Sequence, residues 1–280
     1  MSDLNIRTMT PADLDMAIEW AAREGWNPGL DDAEAFLAAD PGGFLVGEVD
    51  GRPVTCISAV RYGESFGFVG FYIAAPEARG KGYGWATWQA AMERLAGRTV
   101  GLDGVVAQQE NYRKSGFELL HRNVRYGGTV GVSVVPDDLL VPVDDALVPA
   151  IIAYDRPFFA GPRQSFLRTW LTSGLRTSFA YVENGAVLGY GTVRSCRDGY
   201  KIGPLFADNK GIADALFRVL ISKAKDGPIY LDLPEPNAAA RALAERNGMR
   251  PVFETARMYR GPAPDLPLSR TYGITSFELG

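Results

Sequence analysis

The sequence predicts an α/β protein built from two tandem copies of one domain. Strand-like and helix-like runs alternate along the chain. The order of runs in the first half, β-α-α-β-β-β-α-β-α-β, is taken up again in the second. Landmarks also recur at nearly equal offsets. Gly116 maps on Gly248 at 132 positions and Gly82 on Gly211 at 129, as two copies with small insertions should give. A chain of 280 residues exceeds one typical domain and suits two.

Each element has a local reason. Leu4 to Met9 alternates as a short strand. Thr10-Pro11 opens a helix, with Thr10 as N-cap and proline at the first helical position. Leu14, Ala17, Ile18 and Ala21 give that helix an apolar stripe. A second helix spans 32–39 and stops before Asp40-Pro41. Runs 44–49 and 54–60 flank Asp50-Gly51, a favoured two-residue hairpin turn. A strand over 66–74, a helix over 85–96 and a strand over 99–103 follow. A helix around Tyr112, ended by Gly116, and a strand over 117–125 complete the first copy. In the second copy, Asn184-Gly185 joins two strand runs as Asp50-Gly51 does. Strands are expected at 200–206, 229–233 and 249–259, and helices at 212–224 and 237–246. The division falls at residues 1–128 and 129–280, and alternation in 129–135 suggests that the second copy opens with its own strand.

Composition narrows the function. Net charge is −4, and no basic run marks a nucleic-acid partner. A mildly acidic protein suits a small cationic partner. Cys56 and Cys196 lie far apart and read as reduced core residues. With only one histidine, no Cys/His metal site is expected. The start, M-S-D-L-N-I-R, has no signal-like pattern, and no apolar run approaches the ~18 residues of a membrane helix. These features together suggest a soluble cytoplasmic protein, monomer or homodimer.

The most informative segment is Pro76 to Gly84, P-E-A-R-G-K-G-Y-G. It lies between a strand and an amphipathic helix. Gly80, Gly82 and Gly84 let the backbone turn tightly and bring N–H groups close to a ligand. The helix adds unpaired N–H groups and its positive end, and Arg79 and Lys81 add charge. This is a seat for a pyrophosphate. No Ser or Thr follows Lys81, which excludes a Walker A loop, and the glycine spacing does not match a dinucleotide fingerprint. The remaining pattern, [RQ]-x-x-G-x-[GA], is filled by Arg79, Gly82 and Gly84. It resembles the coenzyme A loop of the GNAT acetyltransferase superfamily. A second signature, Asn111-Tyr112-Arg113-Lys114-Ser115-Gly116-Phe117, resembles that family's short fourth helix. With the closing T-S-F-E-L-G run, the whole chain is similar to two-domain acetyltransferases with an active first and a divergent second domain.

The resemblance implies two mixed, mostly antiparallel sheets flanked by helices. It also implies acetyl-CoA as cosubstrate, no metal, and acetyl transfer to a primary amine of a small molecule. Arg79, Gly80, Lys81, Gly82, Tyr83 and Gly84 would hold the pyrophosphate. Tyr72, Ile73 and Ala74 would pair with the pantetheine arm, with Asn111 also at the cofactor. Tyr112 would protonate the departing thiolate. Asp103 is the first choice for the base, ahead of Glu64 and Glu110; His121 sits within a strand and reads as structural. Trp26, in the loop after the first helix, is the candidate acceptor contact, with plain packing as the alternative, while Trp85 and Trp88 show core-type spacing. Phe158 and Phe159 either face the first copy's cleft or pack. Setting Gly211 on Gly82 places Asp208 and Asn209 where the first copy has Arg79 and Gly80, Ala213 on Gly84, and Ala244 at the place of Tyr112. The second copy is therefore expected to have lost the chemistry. The competing reading is a non-catalytic acyl-CoA-binding sensor, which has no need of Tyr112.

Overall fold

One sheet of 13 strands runs through both halves of the computed structural model, which describes residues 3–131 and 136–280. The first half contributes β1 (Asn5–Thr8), α1 (Pro11–Arg23), α2 (Asp32–Ala39), β2 (Phe44–Val49), β3 (Arg52–Tyr62), β4 (Phe66–Ala74), α3 (Tyr83–Arg94), β5 (Thr99–Val105), α4 (Gln109–Lys114) and β6 (Glu118–Gly128). The second half contributes β7 (Leu140–Pro142), α5 (Val148–Asp155), α6 (Gln164–Thr172), β8 (Arg176–Glu183), β9 (Ala186–Ser195), β10 (Tyr200–Ala207) and α7 (Lys210–Ile221). It closes with β11 (Ile229–Pro234), α8 (Ala238–Arg246), β12 (Arg250–Arg260) and β13 (Thr271–Gly273). Of the strand expected over 129–135, residues 129–131 carry no regular structure, and 132–135 lie outside the described residues.

Local chemistry sets the ends of these elements. Thr10 and Asp13 form a reciprocal capping box on α1, with Pro11 in the first turn. Asp50 and Gly51 both have positive φ, as do Asn184 and Gly185. That is the backbone a two-residue hairpin turn requires, and it fixes the β2–β3 and β8–β9 registers alike. Gly116 and Gly248, at φ 84° and 76°, end α4 and α8 in the left-handed conformation.

The strand order is β1-β2-β3-β4-β5-β12-β6-β11-β10-β9-β8-β7, with β13 beside β10. Among the described residues, only β4–β5 and β10–β11 pair in parallel. The halves exchange their last long strands: β12 of the second half inserts between β5 and β6 of the first. In turn, β6 lies between β12 and β11. The two expected sheets are therefore continuous.

Two related ion pairs lock this junction. Arg257 on β12 grips Asp103 on β5 with Nε at 3.0 Å and Nη2 at 2.7 Å. Arg125 on β6 grips Asp232 on β11 at 2.6 and 2.8 Å. All four side chains are almost fully buried. Burial opposes charge on Asp232, but Arg125 outweighs it and keeps the carboxylate ionised. Such a pair adds little net stability over an apolar substitute, but removing one partner strands a buried charge.

Helices α1 and α2 share one core with α5 and α6, where Phe36 stacks on Trp170. Phe158 stacks on Phe206, and Phe159 packs edge-on against Tyr62 and Phe66, so both belong to this core. The segment Thr271–Gly280 is buried throughout. It returns from the second half into the first, where Tyr62 donates its hydroxyl proton to the Leu279 carbonyl at 3.1 Å.

Candidate active site

Strands β4 and β5 part company at the site. Their parallel pairing runs from Phe66–Thr99 to Val69–Leu102 and then stops, so the edge of β4 from Gly70 onward has no partner on the β5 side. Just there β4 bulges. Gly70 pairs with Ser58 and Ile73 with Cys56, so Phe71 and Tyr72 together oppose Ile57. Phe71 takes a left-handed φ of 48°, a strained choice for an aromatic residue, and the Cys56 thiol donates to its carbonyl at 3.2 Å. Bulge and splay together leave a wedge lined by backbone polar groups.

Residues 75–82 form the loop at the mouth of this wedge. Gly80 and Gly82 have φ of 76° and 84°, and Gly82 is the N-cap of α3 without any side-chain cap. Among the described residues, no backbone acceptor serves the N–H groups of Gly80, Lys81 and Gly82. Those of Tyr83 and Gly84 open α3, where no intrahelical acceptor exists. A Cβ on Gly84 would come within 3.2 Å of the Tyr72 hydroxyl. Lys81 is exposed. Arg79 turns back, donating Nε to the Ala74 carbonyl at 3.0 Å and pairing with Glu24 at 2.6 Å. It thus braces the loop from behind. The donor set fits a pyrophosphate: clustered N–H groups, a helix N-terminus and a nearby cation.

Between β10 and α7 the second half has no counterpart to this loop. β10 ends at Ala207, and Asn209 already caps α7, with Oδ1 accepting from the N–H groups of Gly211 and Ile212 at 2.9 and 3.1 Å. Asp208 accepts from the Tyr154 hydroxyl at 2.7 Å and pairs with Arg270. The expected match of Gly211 with Gly82 is therefore corrected. Asn209 takes the place of Gly82, and the rest of the loop is missing rather than substituted. The α4–α8 match holds: Ala244 accepts from Met249 N–H as Tyr112 accepts from Phe117 N–H, both at 3.1 Å.

Tyr112 lies between two spaces. Its ring packs on Trp88 and rests against Gly104, where a Cβ would approach it to 2.8 Å. Burial pushes its phenol pKa up, and the neighbouring Tyr72 adds to this. An outer groove is lined by Tyr72, Trp85, Gln108, Asn111, Tyr112 and Ser115. Trp88 is core, but Trp85 is 56% exposed at this groove, contrary to its core-type spacing.

On the other side Tyr72, Gln108 and Tyr112 face a narrow inner cavity of about 50 Å³. Its first-half walls include Trp26, Phe71 and Asp103; its second-half walls are Phe253, Thr255, Phe277 and Glu278. Trp26 is held by Arg125, which donates to its carbonyl at 2.8 Å. Asp103 is fully engaged: Oδ1 accepts from Asn123 and Arg257, and Oδ2 from Arg257. A carboxylate already paired with a bidentate guanidinium is poorly placed to accept a substrate proton. Glu64 and Glu110 line neither space. His121 is pushed down to about 4, first by burial and then by Arg257, and so is neutral at pH 7. The second-half wall escaped the sequence reading. Phe253 and Thr255 lie in the expected strand over 249–259, and Phe277 and Glu278 in the closing T-S-F-E-L-G run, but neither segment signals a cavity.

A model of the GNAT acetyltransferase family matches residues 13–117, and a GNAT acetyltransferase domain model matches 151–273. The chain is 33% identical over 277 residues to the holothin acyltransferase of Pseudoalteromonas sp. (strain SANK 73390), covering 98% of this chain and 94% of that one. A Pyrococcus horikoshii structure superposes with TM-score 0.85 at 22% identity, covering 100% of this chain and 97% of that one. A tandem GNAT protein from the clavulanic acid biosynthesis pathway gives 0.63 at 16%, covering 93% and 100%. The chain belongs to the GNAT acetyltransferases, in their tandem two-domain form, and is an acyltransferase. Among the described residues no helix is long and apolar enough to cross a membrane.

Proposed function

We propose that this protein transfers an acetyl group from acetyl-CoA to a primary amine of a small molecule, by direct attack within residues 1–128. The observation that carries this is the single uncapped glycine loop, set at the mouth of the β4–β5 wedge. It has a counterpart neither in sequence nor in length between β10 and α7. Coenzyme A supplies the activated thioester. The N–H groups of Gly80 to Gly84 and the Lys81 ammonium hold its pyrophosphate, while Arg79 keeps the loop in shape. The edge of β4 from Tyr72 to Ala74, free of a strand partner although the Ala74 carbonyl also accepts from Arg79, offers backbone groups to the pantetheine arm, as to an added strand. Asn111 and Trp85 border the outer groove beside it. Rate enhancement comes chiefly from holding amine and thioester within reach. The bulge at Phe71–Tyr72 directs backbone dipoles at the reacting carbonyl. Tyr112, between groove and cavity, stays protonated at neutral pH and donates its proton to the leaving sulfur.

The acceptor enters from the inner cavity, beside Trp26. Residues 129–280 act as a wall of that cavity rather than as a second catalyst. Asp103 positions β12 through Arg257 instead of taking a proton. Holothin, the acceptor in the name of the Pseudoalteromonas relative, belongs among the compounds to try. Acetyl-CoA titration against thermal unfolding tests the reading. Saturation at 100 times Kd stabilises a protein by about 2.7 kcal/mol, so the midpoint should climb with ligand. A midpoint indifferent to millimolar acetyl-CoA rejects it.

A further inference from the structure

Glu278 stands out because the mechanism leaves it unused. It is 3% exposed, and neither carboxylate oxygen has a hydrogen-bond partner. No cation lies within ion-pair distance of it among the described residues, unlike Asp103, Asp155 and Asp232, which all hold an arginine. A buried carboxylate with unmet hydrogen bonds is costly, and folds retain one where it has a task. Glu278 lines the inner cavity together with Tyr72, Asp103 and Tyr112. Its neighbours there are Trp26, Phe71, Phe253 and Phe277.

The placement is built. Glu278 belongs to the buried segment Thr271–Gly280, and its backbone crosses β4 at Gly70. An added Cβ on Gly70 would come within 2.1 Å of the Glu278 carbonyl oxygen, so only glycine admits the crossing. The crossing falls one residue before the bulge, where the proposed reaction takes place.

We propose that Glu278, delivered by the second half, is the acceptor-binding and proton-accepting residue of the first half's active site. The acceptor class is a small primary amine with a flat apolar body: the ammonium meets the carboxylate, and the body meets the aromatic walls. This rests on the acetyl-transfer reading above. The step balances. The ammonium passes one proton to the Glu278 carboxylate, and the free amine attacks the thioester carbonyl. The C–N bond forms, the C–S bond breaks, and the sulfur gains a proton from Tyr112. The nitrogen loses its second proton as the amide forms, which restores the proton to Tyr112. Glu278 then releases its own proton to water.

The test is amine-dependent thiol release from acetyl-CoA with 2-phenylethylamine, followed from pH 6 to 10 in wild type, Glu278→Gln and Glu278→Asp. The charges that interact with Glu278 are Arg125 on β6 and Arg194 on β9; Asp103 on β5, Tyr72 on β4 and Tyr112 on α4 share its cavity. At pH 7 Glu278→Gln should lower kcat/KM by about 10²–10⁴-fold, as loss of a general base does. Acetyl-CoA affinity should stay within twofold. The deficit should shrink as pH rises and solvent supplies free amine. Glu278→Asp should keep part of the activity. If Glu278 serves only as a distant counter-charge to Arg125 and Arg194, Glu278→Gln lowers the unfolding temperature but keeps turnover and its pH profile, and the proposal falls. A wild type that binds acetyl-CoA yet acetylates no amine removes the acetyl-transfer reading, and this proposal with it.

Discussion

Replacing Gly70 by alanine isolates the contact through which the second half reaches the first half's site. Gly70 does not have positive φ, so alanine fits its backbone. The whole effect must come from the new methyl. That carbon would sit 2.1 Å from the Glu278 carbonyl oxygen, 2.9 Å from its carbonyl carbon and 3.0 Å from its Cα. These atoms are backbone, and relief of the overlap needs a shift of about 1 Å in the crossing segment. Overpacking of this kind costs about 1–3 kcal/mol, which for a chain of this size is a fall of several degrees in Tm. The kinetic effect should be larger. Misplacement of a working group by about 1 Å can cost about 10²-fold in rate. Thiol release at saturating acetyl-CoA should thus drop about 100-fold, while acetyl-CoA affinity by calorimetry stays within twofold. Gly84→Ala should give the opposite pattern, because its methyl meets the Tyr72 hydroxyl at 3.2 Å beside the loop. There affinity falls first. A Gly70→Ala protein with wild-type turnover refutes the argument that this crossing positions the site.

Tyr112→Phe should lower turnover by about 10²–10⁴-fold with acetyl-CoA affinity unchanged; unaltered turnover takes Tyr112 out of the chemistry. Because burial raises its pKa, the acid stays protonated above the ordinary tyrosine value near 10, so the wild-type rate should show no loss from Tyr112 deprotonation up to pH 9. Arg257→Leu should cost about 3–5 kcal/mol in denaturant unfolding by stranding the Asp103 carboxylate, and adding Asp103→Leu should recover most of it. No recovery would show that the pair does more than balance charge. Asn209→Ala removes the α7 cap and should cost about 1 kcal/mol while leaving acetyl-CoA affinity untouched; weaker binding would mean that the second half also holds the ligand.

The elements of the first half and of 176–260 were legible in the sequence because their signals are local, whereas β7, α5, α6 and β13 were not anticipated. Thr10-Pro11, Asp50-Gly51, Asn184-Gly185 and the helix-ending Gly116 and Gly248 act within a few residues, and each does so in the structure. The glycine loop was legible for the same reason. The exchange of β6 and β12 was not. A strand's apolar alternation is the same whichever neighbour it meets, so pairing partners leave no local mark. Asp103 shows the cost of this. Its place at the end of a strand near Tyr112 suggested a base, but its carboxylate is held by Arg257, 154 positions away in sequence. Glu278 is the converse: a short acidic-apolar run carries no periodicity, and its burial depends on a crossing at Gly70. The missing second loop was hidden by Lys210-Gly211, which mimics Lys81-Gly82 although Lys210 already begins α7.

The central claim is that one cleft both seats acetyl-CoA and transfers its acetyl group to an amine. The most direct measurement is thiol release by the full chain with acetyl-CoA and a panel of primary amines that includes arylalkylamines, polyamines, amino acids, aminosugars and holothin. The account predicts release that depends on a particular amine, with the acetylated amine formed in equal amount. Tight acetyl-CoA binding with no amine-dependent release from any acceptor class would contradict it and leave an acyl-CoA sensor in its place.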